Sequence, residues 1–259
     1  MPWNPERYNQ FKNIRYQPFY DLADLISTNN LKNCIDVGCG TGEQTAILAN
    51  KFEHANFLGI DSSKEMLEKS KEFDLANLTF QQQTIENFAN SDTTWDLIFS
   101  NAALQWSDNH EELFPKLISK LNVNGQFAVQ MPCQKDSQKD NVLNVILSDL
   151  AREKPFADYL NNFHRDSPLL TIDDYAKIIF DNGLKDLNIN MKVYPIYGND
   201  ETEFYNFISG SALIPYMERL TTKHQELFTT EFKTRIKKYY KTFPAIYSFK
   251  RILLYGRKS

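Results

Sequence analysis

Short apolar runs alternate with stretches of helical periodicity through the first half of the chain. Residues 34–37 form an apolar run that ends in glycines, which predicts a first strand, and residues 41–51 then place apolar residues where a helix would bury them. Ser62 followed by Glu65 is typical of a capping box and predicts Ser62 as the N-cap of the next helix. Further strands are predicted at 56–61, 78–80, 95–100 and 125–131, with a helix over 109–121.

After Pro132 the pattern changes from this alternation to mostly helical spacing. Residues 134–140 are polar and charged, whereas residues 200–241 have helical periodicity throughout. Within that stretch four apolar residues fall four apart, which predicts one buried helix face. They are Phe228, Phe232, Ile236 and Tyr240. The remaining predicted elements are helices at 141–151 and 171–182, a strand after Gly183 and a closing strand at 252–255.

Alternating strands and helices predict an α/β fold: a doubly wound, mostly parallel seven-stranded sheet with an inserted helical lid. Right-handed crossovers put helices on both faces of such a sheet, and ligands bind outside the carboxyl ends of its strands. We predict one domain overall with three parts. These are an α/β core with an N-terminal helix at 1–132, a partly helical lid segment at 133–183, and final strands with inserted helices at 184–259.

The composition is typical of a globular protein, with 42% hydrophobic and 24% charged residues among 259. No window approaches the ~20 consecutive apolar residues of a membrane span, and residues 1–4 do not open a signal peptide. We therefore expect a cytoplasmic protein. Cys34, Cys39 and Cys133 lack the spacing of metal ligands and are odd in number, so we expect neither a bound metal nor a disulfide framework.

The net charge of −4 and the pI near 5.7 argue against a nucleic-acid-binding protein, for which a strongly basic face is typical. We also expect no membrane partner. The charge is uneven, because residues 219–259 hold eleven Lys or Arg against two Glu, a net +9, so residues 1–218 carry −13. Such a tail is typical of a solvated helix face. The alternative is a positive potential that draws an anionic substrate toward a cleft.

A glycine-rich loop joins the first predicted strand to the helix that follows it: Asp36-Val37-Gly38-Cys39-Gly40-Thr41-Gly42. A helix N-terminus has unsatisfied N–H groups, and glycines let a ligand approach the backbone without meeting a Cβ. A dinucleotide fingerprint would need its third glycine at Glu43, and the Lys-Ser/Thr of a P-loop is missing. Asp36 suits a cationic amino group, because a carboxylate attracts an ammonium and repels a phosphate.

Asp61 ends the second predicted strand 21 residues after Gly40, a position from which a carboxylate can accept both ribose hydroxyls. Together with Asp36 and the glycines, it resembles the motif of the class I methyltransferases, an acid-x-Gly-x-Gly-x-Gly loop followed by a ribose acid. The resemblance implies a Rossmann-like fold and S-adenosyl-L-methionine as cofactor, with S-adenosyl-L-homocysteine as product. By the same resemblance the methionine moiety falls to Asp36, Gly38 and Gly40, the ribose to Asp61, and the adenine edge to Ser62 and Met66.

One position departs from the family pattern. The family usually has a further acid after the third strand, in contact with the adenine amino group. The matching residue here is Thr84, and we expect Thr84 and the Ile85 that follows it to contact the cofactor. This departure weakens the adenine contact or transfers it to a hydroxyl or a backbone group.

Two classes of DNA methyltransferase do not match the chain. Adenine-N6 enzymes have an Asn/Asp-Pro-Pro-Tyr run after the fourth strand, where this chain has Ser100-Asn101-Ala102-Ala103. Pro132-Cys133 imitates the nucleophile of cytosine-C5 enzymes, but it follows the fifth predicted strand rather than the fourth. A thiol without a nearby activating charge is usually inert, so we do not expect a nucleophilic Cys133.

A more particular resemblance comes from residues 101–106 (Asn-Ala-Ala-Leu-Gln-Trp), with Asp108-Asn109-His110, Glu112-Leu113-Phe114-Pro115 and Val129-Gln130-Met131-Pro132. With Trp3-Asn4-Pro5 and Asp61-Ser62-Ser63, these motifs resemble trans-aconitate 2-methyltransferases, which methylate carboxyl groups of small molecules. The similarity covers nearly the whole chain and is looser beyond residue 133.

The resemblance implies roles for four further residues. Asn101 would contact the cofactor, and Arg15 would lie near the cofactor carboxylate. Trp106 would stack beside the cofactor or wall the methyl site, and His110 would contact the substrate. The alternatives are a surface arginine at 15, a core aromatic at 106 and a helix-capping role for His110.

A carboxylate acceptor is already ionised at neutral pH, so the enzyme needs no general base and must instead orient the acceptor and exclude water. Guanidinium groups suit an acceptor with several carboxylates. The candidates are Arg7, Tyr8, Arg165, Tyr216 and Arg219. Alternative acceptors are another small molecule or a malonyl thioester, because the biotin-pathway methyltransferases share a similar Asn-x-x-x-Gln-Trp stretch. A non-catalytic S-adenosylmethionine-binding protein is a third interpretation.

Overall fold

A computed structural model of the protein describes residues 12–133, 141–165 and 168–259. Its strands are β1 (Asn33–Val37), β2 (Asn56–Asp61), β3 (Leu78–Gln82), β4 (Trp95–Asn101), β5 (Leu121–Pro132), β6 (Leu184–Gly198) and β7 (Ala245–Lys258). Its helices are α1 (Lys12–Ala23), α2 (Glu43–Lys51), α3 (Lys64–Ser70), α4 (Ile85–Ala89), α5 (His110–Ser119), α6 (Val142–Arg152), α7 (Phe156–Tyr159), α8 (Ile172–Asp181), α9 (Glu201–Ser209), α10 (Ile214–Met217) and α11 (Thr222–Tyr240). A 3₁₀ turn, Leu104–Trp106, follows β4.

The described strands form one sheet in the order β3-β2-β1-β4-β5-β7-β6. β1 pairs in parallel with β2 and β4, β2 with β3, and β4 with β5, whereas β7 runs antiparallel to β5. The chain order reverses at β1, which has β2 on one side and β4 on the other. In an open α/β sheet such a reversal leaves a ligand-binding crevice beyond the carboxyl ends of the strands. The predicted doubly wound, mostly parallel seven-stranded sheet is confirmed.

The chain divides into two compact units. The core unit contains residues 17–133, 168–192 and 251–259, and the helical unit contains the described residues 12–16, 141–165 and 193–250. The three-part division predicted from the sequence stays a prediction.

One face of the core unit's sheet packs against α4, α5 and α8. Ile35 and Val37 of β1 belong to this apolar cluster, together with the rings of Phe114 and Tyr175. On the opposite face, Phe19 of α1 meets Phe99 edge-on, with ring centroids 5.8 Å apart. Each large apolar side chain that is fully buried contributes roughly 1.5–3 kcal/mol. Packing on both faces therefore holds the strand ends in a fixed register.

The helical unit has its own apolar core, and α11 supplies one side of it. Phe228, Phe232 and Ile236 are fully buried there, and Tyr240 packs against them partly buried. The buried helix face predicted from the four-residue spacing is confirmed. Among the described residues, no helix is both long enough and apolar enough to cross a membrane.

Three local predictions need correction. The N-cap of α3 is Ser63 rather than Ser62, because the Ser63 hydroxyl accepts the N–H of Met66 at 3.3 Å. Residues 200–241 are not one continuous helical stretch but three helices, α9, α10 and α11, and the last begins at its own N-cap, Thr221. The closing strand is far longer than 252–255, since β7 runs over Ala245–Lys258. The polar stretch 134–140 lies outside the described residues.

Candidate active site

The glycine loop crosses from β1 to α2 at the point where the strand order reverses. Gly38, Gly40 and Gly42 all have positive φ, at 80°, 57° and 78°. An L-side chain rarely adopts this left-handed conformation, so the loop requires glycine at these turns. Two N–H groups of the loop, those of Gly38 and Cys39, donate to the carbonyl of Ile60 at 2.8 and 2.9 Å. The loop is therefore tied to the carboxyl end of β2.

The surroundings of the first two loop glycines differ. A Cβ on Gly38 would lie 2.2 Å from the Cβ of Ala103, so the loop packs directly against the chain that follows β4. Among the described residues, a Cβ on Gly40 would have no heavy atom within 4 Å beyond its chain neighbours. The loop thus faces protein at Gly38 and open space at Gly40.

Asp36 lies beneath the loop with an exposed fraction of 3%. The hydroxyl of Thr45 in α2 donates to its carboxylate at 2.6 Å. Burial raises the pKa of Asp36 to about 7, the negative charge of Asp61 acts in the same direction, and the Thr45 hydrogen bond opposes them. A cation bound here would favour the ionised carboxylate.

Asp61 holds two loops together at the end of β2. One carboxylate oxygen accepts the N–H of Gly40 at 2.9 Å, and the other accepts the N–H of Ser63 at 2.8 Å. The side chain is half-buried, in contrast to Asp36. Its carboxylate therefore lies beside the glycine loop with both oxygens in hydrogen bonds to backbone.

The end of β4 forms the next part of the site. The side-chain amide of Asn101 donates to the side-chain oxygen of Gln44 at 2.8 Å, while its own Oδ1 is buried without a hydrogen-bond partner among the described residues. Ala102 has a left-handed φ of 57°, and its N–H donates to the carbonyl of Gln130 at 2.9 Å. This turn leads into the 3₁₀ turn, where Trp106 is 49% exposed. Trp106 is therefore not a core aromatic.

The remaining predicted cofactor residues lie on the loops that follow β2 and β3. Gln82 donates from its side chain to the carbonyl of Ser62 at 3.0 Å, and Met66 is 40% exposed. Thr84 is the N-cap of α4, because its hydroxyl oxygen accepts the N–H of Asn87 at 3.1 Å. Ile85 is partly buried against the sheet. An adenine contact by any of these residues stays a prediction.

His110 begins α5 but does not face a cleft, since its exposed fraction is 1%. Its Nε2 lies 2.9 and 3.0 Å from the carbonyls of Leu104 and Ser107, so Nε2 is the donor. The hydroxyl of Tyr175 accepts the N–H of Leu170 at 3.1 Å and donates to Nδ1 of His110 at 2.5 Å. Burial lowers the pKa of His110, which keeps the ring neutral.

The predicted substrate contact by His110 therefore does not fit its position. Both ring nitrogens are hydrogen-bonded inside the core unit, where they connect the 3₁₀ turn to Tyr175 of α8. The alternative role of His110 as a helix cap is also wrong, because the N-cap of α5 is Asn109, which makes no side-chain capping bond.

Two candidates in the helical unit contact the ring of Phe163, and a third is hydrogen-bonded to one of them. The guanidinium of Arg219 lies 3.8 Å from the ring centroid of Phe163, and the ring of Tyr216 meets Phe163 edge-on at 5.4 Å. The backbone N–H of Arg165 donates to the Tyr216 hydroxyl at 3.3 Å. Arg15 stands apart from them, donates to the carbonyl of Phe207 and lies 4.9 Å from its ring centroid. Arg7 and Tyr8 lie outside the described residues.

The structure assigns contacts to two residues that were given no role from the sequence, although Gln130 lies within the motif Val129-Gln130-Met131-Pro132. Arg251 of β7 is 6% exposed, and its guanidinium donates to the side-chain oxygen of Gln130 at 2.8 Å. Gln130 is a polar residue inside the apolar run of β5, and this polarity and its place in that motif were the signals available in the sequence. No spacing rule joins it to Arg251, which is 121 residues away.

These groups fit S-adenosylmethionine better than a phosphate-bearing cofactor. Asp36, Asp61 and the Oδ1 of Asn101, which has no hydrogen-bond partner in the described part of the chain, are acceptors that suit an ammonium and ribose hydroxyls. A pyrophosphate would be repelled by the two carboxylates. The open space at Gly40 admits a ligand close to the backbone. In the described part of the chain no group of three His, Cys, Asp or Glu is placed to hold a metal ion.

Comparisons with known proteins give the same class. A family model described as a methyltransferase domain matches residues 28–182. A trans-aconitate 2-methyltransferase of Deinococcus radiodurans is 35% identical over 253 residues, which cover 98% of this chain and 97% of that protein. The protein of the same name from Escherichia coli is 30% identical over 263 residues, covering 99% and 98%.

A solved structure extends the comparison to the fold. Phosphoethanolamine N-methyltransferase 2 of Haemonchus contortus, in complex with S-adenosyl-L-methionine, has a TM-score of 0.55 and 15% sequence identity, and the match covers 93% of this chain and 52% of that one. The fold, the loop and these matches define a methyltransferase that uses S-adenosyl-L-methionine. Within that class, the chain belongs to the family of the trans-aconitate 2-methyltransferases. The cofactor and the enzyme class predicted from the sequence are confirmed.

Proposed function

We propose that this enzyme transfers the methyl group of S-adenosylmethionine to a carboxylate oxygen of trans-aconitate. The observation that supports this acceptor is the 35% identity to a protein named for that reaction, extending over 98% of the chain. The acceptor would be a small organic anion, with neither nucleic acid nor membrane as a partner. A cytoplasmic location belongs to the same proposal.

Asp36, Gly38, Gly40 and Asp61 would hold the cofactor. Asp36 would take the cationic amino group, and a bound cation would lower its pKa from about 7 by favouring the ionised form. Asp61 would exchange its two backbone hydrogen bonds for ribose hydroxyls. Asn101 would offer its buried Oδ1 as a further acceptor. We also assign contacts with the adenine edge to Ser62, Met66, Thr84 and Ile85.

S-adenosylmethionine, when bound, supplies a methyl group on a positively charged sulfur, and the O–CH₃ bond forms as the S–CH₃ bond breaks. An ionised carboxylate has no proton to lose, so the enzyme requires no general base. His110 is consistent with a reaction that has no general base, because both of its ring nitrogens are already hydrogen-bonded within the protein. The protein's contribution is then orientation of the acceptor oxygen and exclusion of water.

We propose that the exposed Trp106 contributes a wall of the methyl site. Arg165, Tyr216 and Arg219 remain candidates for acceptor contacts: Tyr216 and Arg219 pack against Phe163, and the backbone N–H of Arg165 donates to the Tyr216 hydroxyl. Arg15 would face the cofactor carboxylate, and Arg7 and Tyr8 remain candidates from the sequence alone.

A two-stage experiment tests the acceptor. Calorimetry first measures the affinity for S-adenosylmethionine. Methyl transfer is then assayed on trans-aconitate, cis-aconitate, citrate, a dicarboxylate and a malonyl thioester. We expect the highest kcat/KM on trans-aconitate. Higher kcat/KM on the malonyl thioester, or on an acceptor without a carboxylate, would contradict the proposal.

A further inference from the structure

Polar side chains form a row across four neighbouring strands at the carboxyl edge of the core unit's sheet. The row consists of Asp36 on β1, Asn101 on β4, Gln130 on β5 and Arg251 on β7. Asp36 lies opposite Phe99, two residues before Asn101, and Asn101 lies opposite Gln130. Arg251 lies opposite Pro132, two residues beyond Gln130. The row therefore runs from an acid through two amides to a guanidinium.

All four side chains lie on the same face of the sheet. The opposite face is formed by their strand neighbours Val37, Val129 and Ile252, which belong to the apolar cluster under α4, α5 and α8. Because side chains alternate along a strand, the row must be on the side of α1 and α2. The contacts agree, since Asp36 bonds to Thr45 and Asn101 to Gln44, at the start of α2.

The contact between Arg251 and Gln130 repeats another contact farther down the same ladder. At the amino end of the segment of β5 that pairs with β7, the hydroxyl of Tyr255 donates to the side-chain oxygen of Gln126 at 2.7 Å. In both pairs the β7 residue lies opposite the position two residues beyond the glutamine. The same geometry thus holds a neutral phenol at the amino end and a cation at the carboxyl end.

The neutral phenol and the cationic guanidinium lie at two edges of the sheet that have different roles. Gln126 also exchanges hydrogen bonds with the backbone of Ser27, at 2.8 and 2.9 Å, so the amino-end pair ties a loop to the sheet. The carboxyl end is where an open α/β sheet binds its ligands. Arg251 places a buried guanidinium at that end of the sheet, opposite Pro132.

We propose that Arg251, oriented by Gln130, binds a carboxylate of the methyl acceptor. Asp36 and Arg251 are three strand spacings apart, ~14 Å across the sheet. The negative end of the row suits the ammonium of the cofactor, and the positive end suits an anionic acceptor. A guanidinium accepts a carboxylate through two parallel N–H bonds, which also fixes the orientation of the acceptor. This inference rests on the proposed function and specifies how an acid is selected.

Three variants and one control test the role of Arg251. Arg251→Met removes the charge, Arg251→Lys keeps the charge without the fork, and Gln130→Glu supplies an internal carboxylate that competes with the acceptor. Arg257→Met is the control, because Arg257 is on the same strand but opposite Gln126, at the amino end. We measure KM and kcat for trans-aconitate, cofactor affinity by calorimetry and thermal unfolding for each.

We expect KM for trans-aconitate to rise about 100-fold in Arg251→Met and about 10-fold in Arg251→Lys, as for the loss of a hydrogen-bonded charge pair. Gln130→Glu should also raise KM. Cofactor affinity should stay within about 3-fold of wild type, and Arg257→Met should leave KM unchanged. For a substrate with one carboxylate fewer than trans-aconitate, KM should rise less in Arg251→Met, because that substrate has fewer groups to orient.

Two results would overturn the proposal in distinguishable ways. If wild type methylates trans-aconitate and the folded Arg251→Met and Arg251→Lys proteins keep the wild-type KM, the assignment of Arg251 is wrong while the proposed function stands. If wild type instead methylates an acceptor without a carboxylate, the proposed function fails, and the assignment fails with it. If Arg251→Met does not fold, the Arg251→Lys and Gln130→Glu values of KM decide.

Discussion

Replacing Gly38 and Gly40 by alanine, one at a time, separates two requirements of the glycine loop. The loop must pack against the chain after β4, and it must leave room for the cofactor. Both glycines have a left-handed φ, at 80° and 57°, so each alanine costs ~1–2 kcal/mol in backbone strain. The two positions differ in what a Cβ would meet. For Gly38 this is Ala103 Cβ at 2.2 Å, and for Gly40 it is open space.

The clash sets the difference in magnitude. Carbon atoms in good contact are ~3.5–4.0 Å apart, so Ala103 would have to move by more than ~1 Å to admit the Gly38 alanine. Overpacking of this kind typically costs ~1–3 kcal/mol. We therefore expect a destabilisation of ~2–5 kcal/mol for Gly38→Ala and ~1–2 kcal/mol for Gly40→Ala. In a chain of this size each kcal/mol lowers Tm by roughly 2–4 °C.

Thermal unfolding and calorimetric titration with S-adenosylmethionine measure both effects. Gly38→Ala should have the lower Tm. Gly40→Ala should keep most of its stability but bind the cofactor at least ~10-fold more weakly, because its Cβ occupies space that the ligand needs close to the backbone. Wild-type affinity in Gly40→Ala would refute the assignment of this space to the cofactor. Equal Tm values for the two variants would refute the packing argument.

Three further predictions follow from the site and from the charge distribution. Because burial raises the folded-state pKa of Asp36 from 3.8 to about 7, the contribution of Asp36 to stability falls as pH rises from 4 to 7, while ionisation of its carboxylate raises cofactor affinity near pH 7. Asp36→Asn should therefore be more stable than wild type above pH 7 but bind the cofactor more weakly. Thermal unfolding and calorimetric titration across pH measure both effects. A less stable Asp36→Asn protein with wild-type cofactor affinity would indicate a purely structural carboxylate. Tyr175→Phe should cost ~2 kcal/mol, since it leaves Nδ1 of His110 and the N–H of Leu170 without their partner, and an unchanged Tm would contradict the network. If the basic residues of 219–259 steer an anionic acceptor, kcat/KM should fall as salt shortens the Debye length toward ~8 Å, whereas a salt-independent kcat/KM would remove the steering idea.

The sequence predicted the parts of the site that depend on short segments. Asp36 and the glycines lie within one loop, and Asp61 ends the next strand, so the strand-loop-helix pattern alone predicts where they meet. The same local rule misplaced the N-cap of α3 by one residue, because Glu65 completes a capping-box pattern with Ser62 while Ser63 is followed three residues later by Met66. The hydrogen bond from the N–H of Met66 identifies Ser63 as the cap.

The sequence could not predict contacts that depend on strand register or on packing between distant helices. His110 lies in a motif, Asp108-Asn109-His110, that predicted contact with the substrate. In the structure its Nδ1 is instead hydrogen-bonded to Tyr175, which is 65 residues away. Arg251 is one of eleven basic residues in the tail, and its burial follows from the antiparallel pairing of β7 with β5. Neither contact has a spacing in the sequence that would indicate it.

The most direct test of the central claim is the fate of a labelled methyl group. Wild-type enzyme is incubated with methyl-labelled S-adenosylmethionine and trans-aconitate, and the isolated product is treated with alkali. The proposed carboxylate methylation predicts one label per product molecule, as a methyl ester that alkali hydrolyses to labelled methanol. An alkali-stable label, or cofactor binding without any label in the acid, would contradict it.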